Sequence, residues 1–95
     1  MAAYLIADIE VTDAAGYEEY REQVPAVIAA HGGHYLVRGG ACEVLAGGGS
    51  PRRRVVLEFG TMKDLKAFWE SPAYRPLSAL RERSARCHIV AVEGV

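Results

Sequence analysis

The chain has 95 residues, of which 51% are hydrophobic and 24% charged, and its formal net charge is -1. These proportions are those of an ordinary globular protein, and they argue against a disordered tail. Because the charge is nearly balanced, electrostatics points to no polyanionic partner, and we expect no binding to nucleic acid. A chain this short has surface for only one hydrophobic core, so residues 1–95 are predicted to form a single domain.

The first apolar stretch, residues 2–7, is followed by Asp8 and Glu10 and has no basic leader. It is also far shorter than a helix that crosses a bilayer, so we expect no membrane association and a cytoplasmic location. Cys42 and Cys87 match no metal-ligand spacing, and the three histidines form no metal-binding motif. The expectation is therefore that the protein uses neither a metal nor a cofactor.

The first elements of the chain are a strand and a helix. Residues 3–11 alternate in polarity in a way that predicts a strand with two different faces. Thr12 and Asp13 supply an N-cap, and the helix that follows is predicted to end at residues 32–33, two glycines. Pro25 lacks a backbone donor, so a kink, or a division into two abutting helical pieces, is expected there.

Two strands and a loop are predicted next. Residues 34–38 favour a strand that continues through residues 42–45, beyond a bulge or bend at the glycine pair 39–40. Residues 47–51, three glycines followed by serine and proline, indicate a hairpin loop. Residues 54–59 alternate again and are predicted to form the third strand.

The last third of the chain repeats the helix and strand pattern. Thr61 caps a helix that Ser71 and Pro72 end, and a further helical piece follows. Residues 86–93 are predicted to form the fourth strand. The order β-α-β-β-α-β is typical of an α+β, ferredoxin-like fold, in which four antiparallel strands form one sheet with both helices on one face.

Apolar side chains are expected on the open face of this sheet as well. The apolar residues that alternate with those facing the helices are Tyr4, Ile6, Leu36 and Val56. An uncovered apolar patch commonly marks an interaction surface. We therefore expect a homodimer that packs sheet against sheet, as in a dimeric α/β barrel.

Polar residues occupy the remaining positions of the same face: Asp8, His34, Arg38 and Glu58, with His88 joining them if the register of the last strand allows. Arg38 is expected to pair with Glu58. One interpretation is a set of interface salt bridges that fix the dimer register.

The other interpretation is a small-molecule pocket, between helices and sheet or between subunits. There Arg38 binds an anion, and a carboxylate or an imidazole of Asp8, Glu58, His34 or His88 moves protons. Tyr20 and Trp69 are the candidate aromatic walls of this pocket, although their helical spacing is what core packing alone predicts, and that is the favoured role of each.

Other basic residues carry no predicted role. The run Arg52–Arg54 lacks the lysine and the strand-loop-helix context of a nucleotide cradle, and it is interpreted as a solvated hairpin tip. Arg81 is assigned, with its charged neighbours, to a solvated helix end.

Two segments of the sequence are distinctive: Gly32–Gly40, which reads GGHYLVRGG, and Phe68–Tyr74, which reads FWESPAY. Together with the opening strand, the pair Tyr17 and Tyr20, and Glu58–Phe59, they resemble a small bacterial family, the domain of unknown function 1330 (DUF1330). The resemblance runs nearly end to end. It implies a ferredoxin-like protomer and a dimeric α/β barrel, and it implies no activity.

Three functions stay open at this level. The first is binding of a small hydrophobic or aromatic anion in a cavity beside the sheet. The second is cofactor-free oxygenation, as in members of the wider superfamily that the resemblance indicates, which needs a confined aromatic substrate and a base or hydrogen-bonding group. The third is a non-enzymatic homodimeric interaction domain. Fold alone does not choose between them.

Overall fold

A computed structural model of the chain describes residues 1–50 and 52–95. The elements are β1 (Ala3–Val11), α1 (Ala14–Ala30), β2 (His34–Arg38), β3 (Arg53–Phe59), α2 (Met62–Trp69), α3 (Arg75–Ser84) and β4 (Ala85–Glu93). The strands form one antiparallel sheet in the order β2-β3-β1-β4. The predicted ferredoxin-like architecture is confirmed, with the second helical region divided into α2 and α3.

α1 and α2 each begin directly after the predicted capping residue. The Asp13 carboxylate accepts a hydrogen bond from the Gly16 amide at 3.4 Å, and the Thr61 hydroxyl accepts one from the Asp64 amide at 3.1 Å. α1 runs through Pro25 as one helix, so the alternative of two abutting pieces is wrong. Because proline has no amide hydrogen, the carbonyl four residues earlier, that of Arg21, has no helical donor at this point.

The segment after β2 differs from the prediction. The expected extension through residues 42–45 is absent, because Gly39 adopts a left-handed φ of +72° and the chain turns away from the sheet. The bulge lies within β2, between Tyr35 and Val37, and not at the glycine pair. Pro51, the last residue of the predicted hairpin loop, lies outside the described residues.

The core lies between the helices and one face of the sheet. Alternate residues of β1 and β3 are buried against apolar side chains of the helices. The members from the sheet are Ala3, Leu5, Ala7, Ile9, Val55, Leu57 and Phe59. No helix covers the opposite face in the described part of the chain. Within that same part, no helix is long and apolar enough to cross a membrane.

Candidate functional site

A cavity of about 40 Å³ opens between the sheet, α1 and the α2–α3 region. By the same measure a single water needs roughly 10–15 Å³, so the space holds a few waters or one small chemical group. Its apolar wall comes from core residues of β1, β3 and α1, and aromatic rings complete it. The rings belong to Tyr17, Tyr20, Tyr35, Phe68, Trp69 and Tyr74.

Four arginines also line this cavity: Arg21, Arg38, Arg53 and Arg81. None of the described lining residues is acidic, and none is a histidine. Positive charge in a partly apolar space is costly unless an anion or a hydrogen-bond acceptor faces it. The arrangement is therefore one that a negatively charged group would stabilise.

Sequence periodicity explains why three of these arginines point inward. Arg53 has the same parity in β3 as the buried Val55, and Arg21 follows Tyr17 by four residues along α1. Arg81 follows Leu77 by four residues and is only 8% exposed. The predicted solvated hairpin tip at Arg53 and solvated helix end at Arg81 are wrong, because both side chains follow the buried period of their strand or helix.

Arg38 reaches the cavity by a different route. The bulge in β2 places it opposite Val55, on the helix side of the sheet, and not beside Glu58 as predicted. Its guanidinium lies over the Tyr35 ring at 4.7 Å and donates a hydrogen bond of 3.0 Å to the Arg21 carbonyl. That is the carbonyl left without a helical donor by Pro25, so the proline positions Arg38 at the cavity mouth.

Some of the guanidinium nitrogens are buried without a partner. Nε of Arg21, and Nε and Nη2 of Arg53, have no hydrogen-bond acceptor among the described residues. Arg53 Cζ lies 5.7 Å from the centroid of the Tyr17 ring, within the range of a cation–π contact. Buried donors of this kind are rare in folded proteins and call for an explanation.

The cavity also carries a hydrogen-bonded chain of hydroxyl groups. The hydroxyl oxygens of Tyr20 and Tyr74 are 2.9 Å apart, and Arg81 Nε donates to the Tyr74 oxygen at 3.3 Å. Arg81 Nη2 also donates to the Ser78 hydroxyl at 3.1 Å, and the guanidinium lies 5.4 Å from the Trp69 ring centroid. Tyr20 and Trp69, both candidates from the sequence, therefore share the cavity with Arg38.

The remaining candidate residues lie on the open face of the sheet, away from the cavity. Asp8 accepts from Arg54 Nη1 at 2.8 Å, and His34 Nε2 lies 3.0 Å from a carboxylate oxygen of Glu58. His88 pairs with Asp8 across β1 and β4, which settles its face. The described residues contain no cluster of three metal-ligating side chains. The sequence therefore combined residues from two separate surfaces into one candidate site.

Gly39 lies beside the cavity at a position where the backbone favours glycine. Besides its left-handed φ, a Cβ at this position would meet the Arg53 guanidinium, whose buried Nε and Nη2 leave the end of that side chain little room to move away. We predict that Gly39→Ala lowers the free energy of unfolding by more than the roughly 1 kcal/mol that backbone strain alone costs. Urea denaturation of the purified variant measures the effect.

Gly32 is the matched control, because it has a φ of +77° and open space where its Cβ would be. Gly32→Ala should lower the free energy of unfolding by the backbone strain alone, because the added Cβ contacts no other side chain. When Gly39→Ala is combined with Arg53→Met, the loss of unfolding free energy caused by the alanine should fall toward the loss in Gly32→Ala, because methionine has no guanidinium. If Gly39→Ala and Gly32→Ala lowered the free energy of unfolding equally in the otherwise wild-type protein, the close approach of Gly39 to the Arg53 guanidinium would be contradicted.

Burial raises the pKa of the hydroxyls of Tyr17, Tyr20 and Tyr35. For Tyr20, burial is the largest cause, and the neighbouring Tyr74 raises its pKa further. Above pH 10 an unfolded tyrosine loses its proton, whereas these tyrosines keep theirs in the folded state. Their contribution to the free energy of unfolding is therefore complete below pH 10 and is lost as the pH rises above it.

We predict that Tyr20→Phe makes this alkaline loss of stability shallower, by up to about 1.4 kcal/mol per pH unit. Unfolding free energies between pH 9 and 11, together with tyrosinate absorbance, measure it. Ionisation of all five tyrosines near pH 10 in a protein that stays folded would contradict it.

Solved structures of other proteins share this fold. A protein of unknown function from Rhodopseudomonas palustris aligns with a TM-score of 0.81 at 14% identity, covering 99% of this chain and 82% of that one. SnoaB, a cofactor-independent oxygenase from Streptomyces nogalater, aligns with a TM-score of 0.69 at 10% identity, covering 99% and 93%.

A dimeric ferredoxin-like protein of unknown function from Thermobifida fusca aligns with a TM-score of 0.66 at 15% identity, covering 99% and 92%. Identities this low establish the fold only. Comparison with curated proteins finds no match. The model of one family, the domain of unknown function DUF1330, matches residues 2–95, so this chain belongs to the DUF1330 family, as the resemblance of its glycine-rich and aromatic segments implies.

Proposed function

We propose that this protein binds a small hydrophobic or aromatic anion in the cavity between the helices and the sheet. The observation that carries the proposal is the set of buried, unpartnered nitrogens of Arg21 and Arg53 in a cavity whose described lining has no acidic residue. A carboxylate would accept hydrogen bonds from these nitrogens, and its apolar part would contact the aromatic wall. Arg38 closes the same side of the site at the mouth.

Structural ion pairing does not account for these arginines. The nearby acid on α1, Glu18, contacts Arg21 through Nη1 at 3.3 Å in an exposed pair, which leaves the buried Nε unsatisfied. Exposed pairs of this kind contribute little to stability. Burial of unpaired cationic groups lowers stability, so a binding role is the better explanation of their position.

The size of the cavity limits the ligand. About 40 Å³ of space suits one anionic group, with at most a single ring that extends out of the cavity. A ligand with several fused rings would require α2 and α3 to move. We therefore propose a ligand of one ring or smaller.

Benzoate and its neutral analogue benzamide test the proposal directly. Trp69 is the only tryptophan in the sequence and lies at the cavity, so its indole N–H signal in a nuclear magnetic resonance spectrum reports binding. Benzoate should shift this signal to saturation, and benzamide should not. Benzoate binding should also weaken as salt is added, because the attraction is electrostatic. Equal responses to both compounds, or no response to either, would contradict the proposal.

The cavity gives less support to the oxygenase alternative. Its described lining offers arginine and tyrosine donors but no carboxylate or imidazole that could remove a proton. Because burial raises the pKa of Tyr20, that hydroxyl is a poor base near neutral pH. SnoaB shares the fold at 10% identity, which does not transfer its activity. These observations support binding over proton abstraction.

The open face supports a second proposal, a homodimer that packs sheet against sheet. One row across the sheet is entirely apolar. Ile6 of β1 pairs with Val56 of β3 and with Val90 of β4, and Val56 pairs with Val37 of β2. Ile6, Val37 and Val90 are each at least 37% exposed in the single chain. The Thermobifida fusca relative is described as dimeric, and a two-fold partner is the simplest cover for such a row.

A further inference from the structure

Pro25 occupies an unfavourable position in α1. It lies inside the 17-residue helix, beyond the first turn, where proline is tolerated. Proline is the least favourable residue in a helix interior, because it lacks the amide donor and its ring crowds the carbonyl four residues earlier. Pro25 is half-buried, and it does not line the cavity. Neither helix stability nor direct contact with a ligand therefore explains its position.

The carbonyl that Pro25 leaves without a helical donor accepts a hydrogen bond from another element. Arg38, at the end of β2, donates to the Arg21 oxygen from Nη2 at 3.0 Å. The same guanidinium lies 4.7 Å from the centroid of the Tyr35 ring. Arg38 is exposed, and a long exposed side chain without such contacts would sample many rotamers. The two contacts therefore order its guanidinium at the mouth of the cavity.

The charge of Arg38 remains available to an anion when the side chain is ordered in this way. Arg38 forms no ion pair within the described part of the chain. A guanidinium has five N–H donors, and the Arg21 carbonyl occupies one nitrogen of the three. Arg21 thus contributes to the site twice, because its carbonyl holds Arg38 and its buried Nε has no acceptor among the described residues.

We propose that Pro25 is a positioning residue of the anion site, which raises anion affinity through Arg38 without contacting the ligand. An alanine at this position would supply the missing amide, and its hydrogen bond would draw the Arg21 carbonyl back into the helix. Arg38 would then lose its acceptor and much of its order. The proline lowers the stability of α1 and increases the affinity of the site. This inference rests on the proposed function and adds a residue that controls the site from outside the cavity.

Pro25→Ala tests the proposal, because it should change stability and binding in opposite directions. Alanine makes the unfolded chain more flexible, but the regained hydrogen bond and the better helix propensity are the larger effects. The urea midpoint of unfolding should therefore stay the same or rise. Benzoate, followed through the Trp69 indole signal, should bind about three- to five-fold more weakly, the loss expected for one exposed charge.

A double-mutant cycle with Arg38→Met shows whether the effect passes through Arg38. Arg38→Met alone should weaken benzoate at least as much as Pro25→Ala does. In the Arg38→Met background, Pro25→Ala should change the affinity by less than about 1.5-fold. Pro76→Ala is the matched control, because Pro76 lies in the first turn of α3, where a missing amide leaves no helical carbonyl without a donor. It should leave benzoate affinity unchanged.

Nuclear magnetic resonance relaxation of the Arg38 Nε–H group reports the order of this side chain without any ligand. The group should be rigid in the wild-type protein and mobile in Pro25→Ala. An Arg38 that stays rigid in Pro25→Ala would overturn the inference, and so would an unchanged benzoate affinity or an equal loss of affinity in both backgrounds of the cycle. A fall in the urea midpoint would show that the proline stabilises the fold, and it would likewise overturn the inference. In each of these cases the anion site stands, whereas a wild-type protein that does not bind benzoate would refute the proposed function itself.

Discussion

Replacing Arg53 by methionine should weaken anion binding strongly without destabilising the protein. Hydrogen bonds between charged groups contribute roughly 1.5–3 kcal/mol, so loss of this guanidinium should weaken benzoate at least ten-fold. Methionine fills a similar volume and removes buried donors that have no partner among the described residues. The free energy of unfolding should therefore be unchanged or rise by about 1 kcal/mol.

The combination of the two measurements decides the role of the arginine. A residue that stabilises the fold would lower the unfolding free energy when replaced, whereas a residue held for a ligand would not. Arg52→Met is the matched control, because it removes the same charge from a neighbouring, exposed position. It should leave benzoate affinity within about two-fold, since exposed charges are screened by salt. A destabilised Arg53→Met that still binds benzoate would show that Arg53 is structural.

Ile6→Glu should convert the proposed homodimer into a folded monomer. Ile6 lies at the centre of the apolar row on the open face, with Val56 and Val90 on either side. A carboxylate buried there in a sheet-to-sheet interface would be unpaired, at a cost of several kcal/mol. In the monomer the same carboxylate is in water, so the protomer should stay folded. Sedimentation velocity over a range of concentrations measures the change in mass.

Ala26→Glu is the control for this experiment, because Ala26 is exposed on α1, on the opposite side of the molecule from the open face. It should remain a dimer with wild-type sedimentation. Circular dichroism of Ile6→Glu should show the same helix and strand content as the wild-type protein. A wild-type protein that sediments as a monomer, or an Ile6→Glu protein that stays dimeric, would contradict the proposed interface.

The two proposals concern opposite faces of the same sheet. The cavity lies on the helix side, and the apolar row lies on the open side together with Asp8, His34, Glu58 and His88. Because strand residues alternate between faces, neighbours such as Arg53 and Arg54 serve different surfaces. Arg53→Met and Ile6→Glu should therefore each change one property and leave the other intact.

Local patterns in the sequence were enough to predict the architecture of this protein. Alternation in β1 and β3, caps at Asp13 and Thr61, and the glycine pair after α1 act over a few residues, so they can be recognised without knowledge of the rest of the chain. The element order then left one favoured topology. Helical spacing alone did not decide whether Tyr20 and Trp69 pack in the core or line a pocket; the structure places both side chains at the cavity.

The composition of the candidate site depends on contacts that local patterns do not specify. The bulge in β2 moved Arg38 from the open face to the helix side, and a one-residue shift of this kind depends on how β2 pairs with β3. The β1–β4 register likewise fixed the face of His88. The convergence of Arg21, Arg53 and Arg81 joins residues far apart in the chain, and only packing of the helices on the sheet brings them together. Local patterns determine elements, whereas a binding site depends on register and on contacts between distant elements.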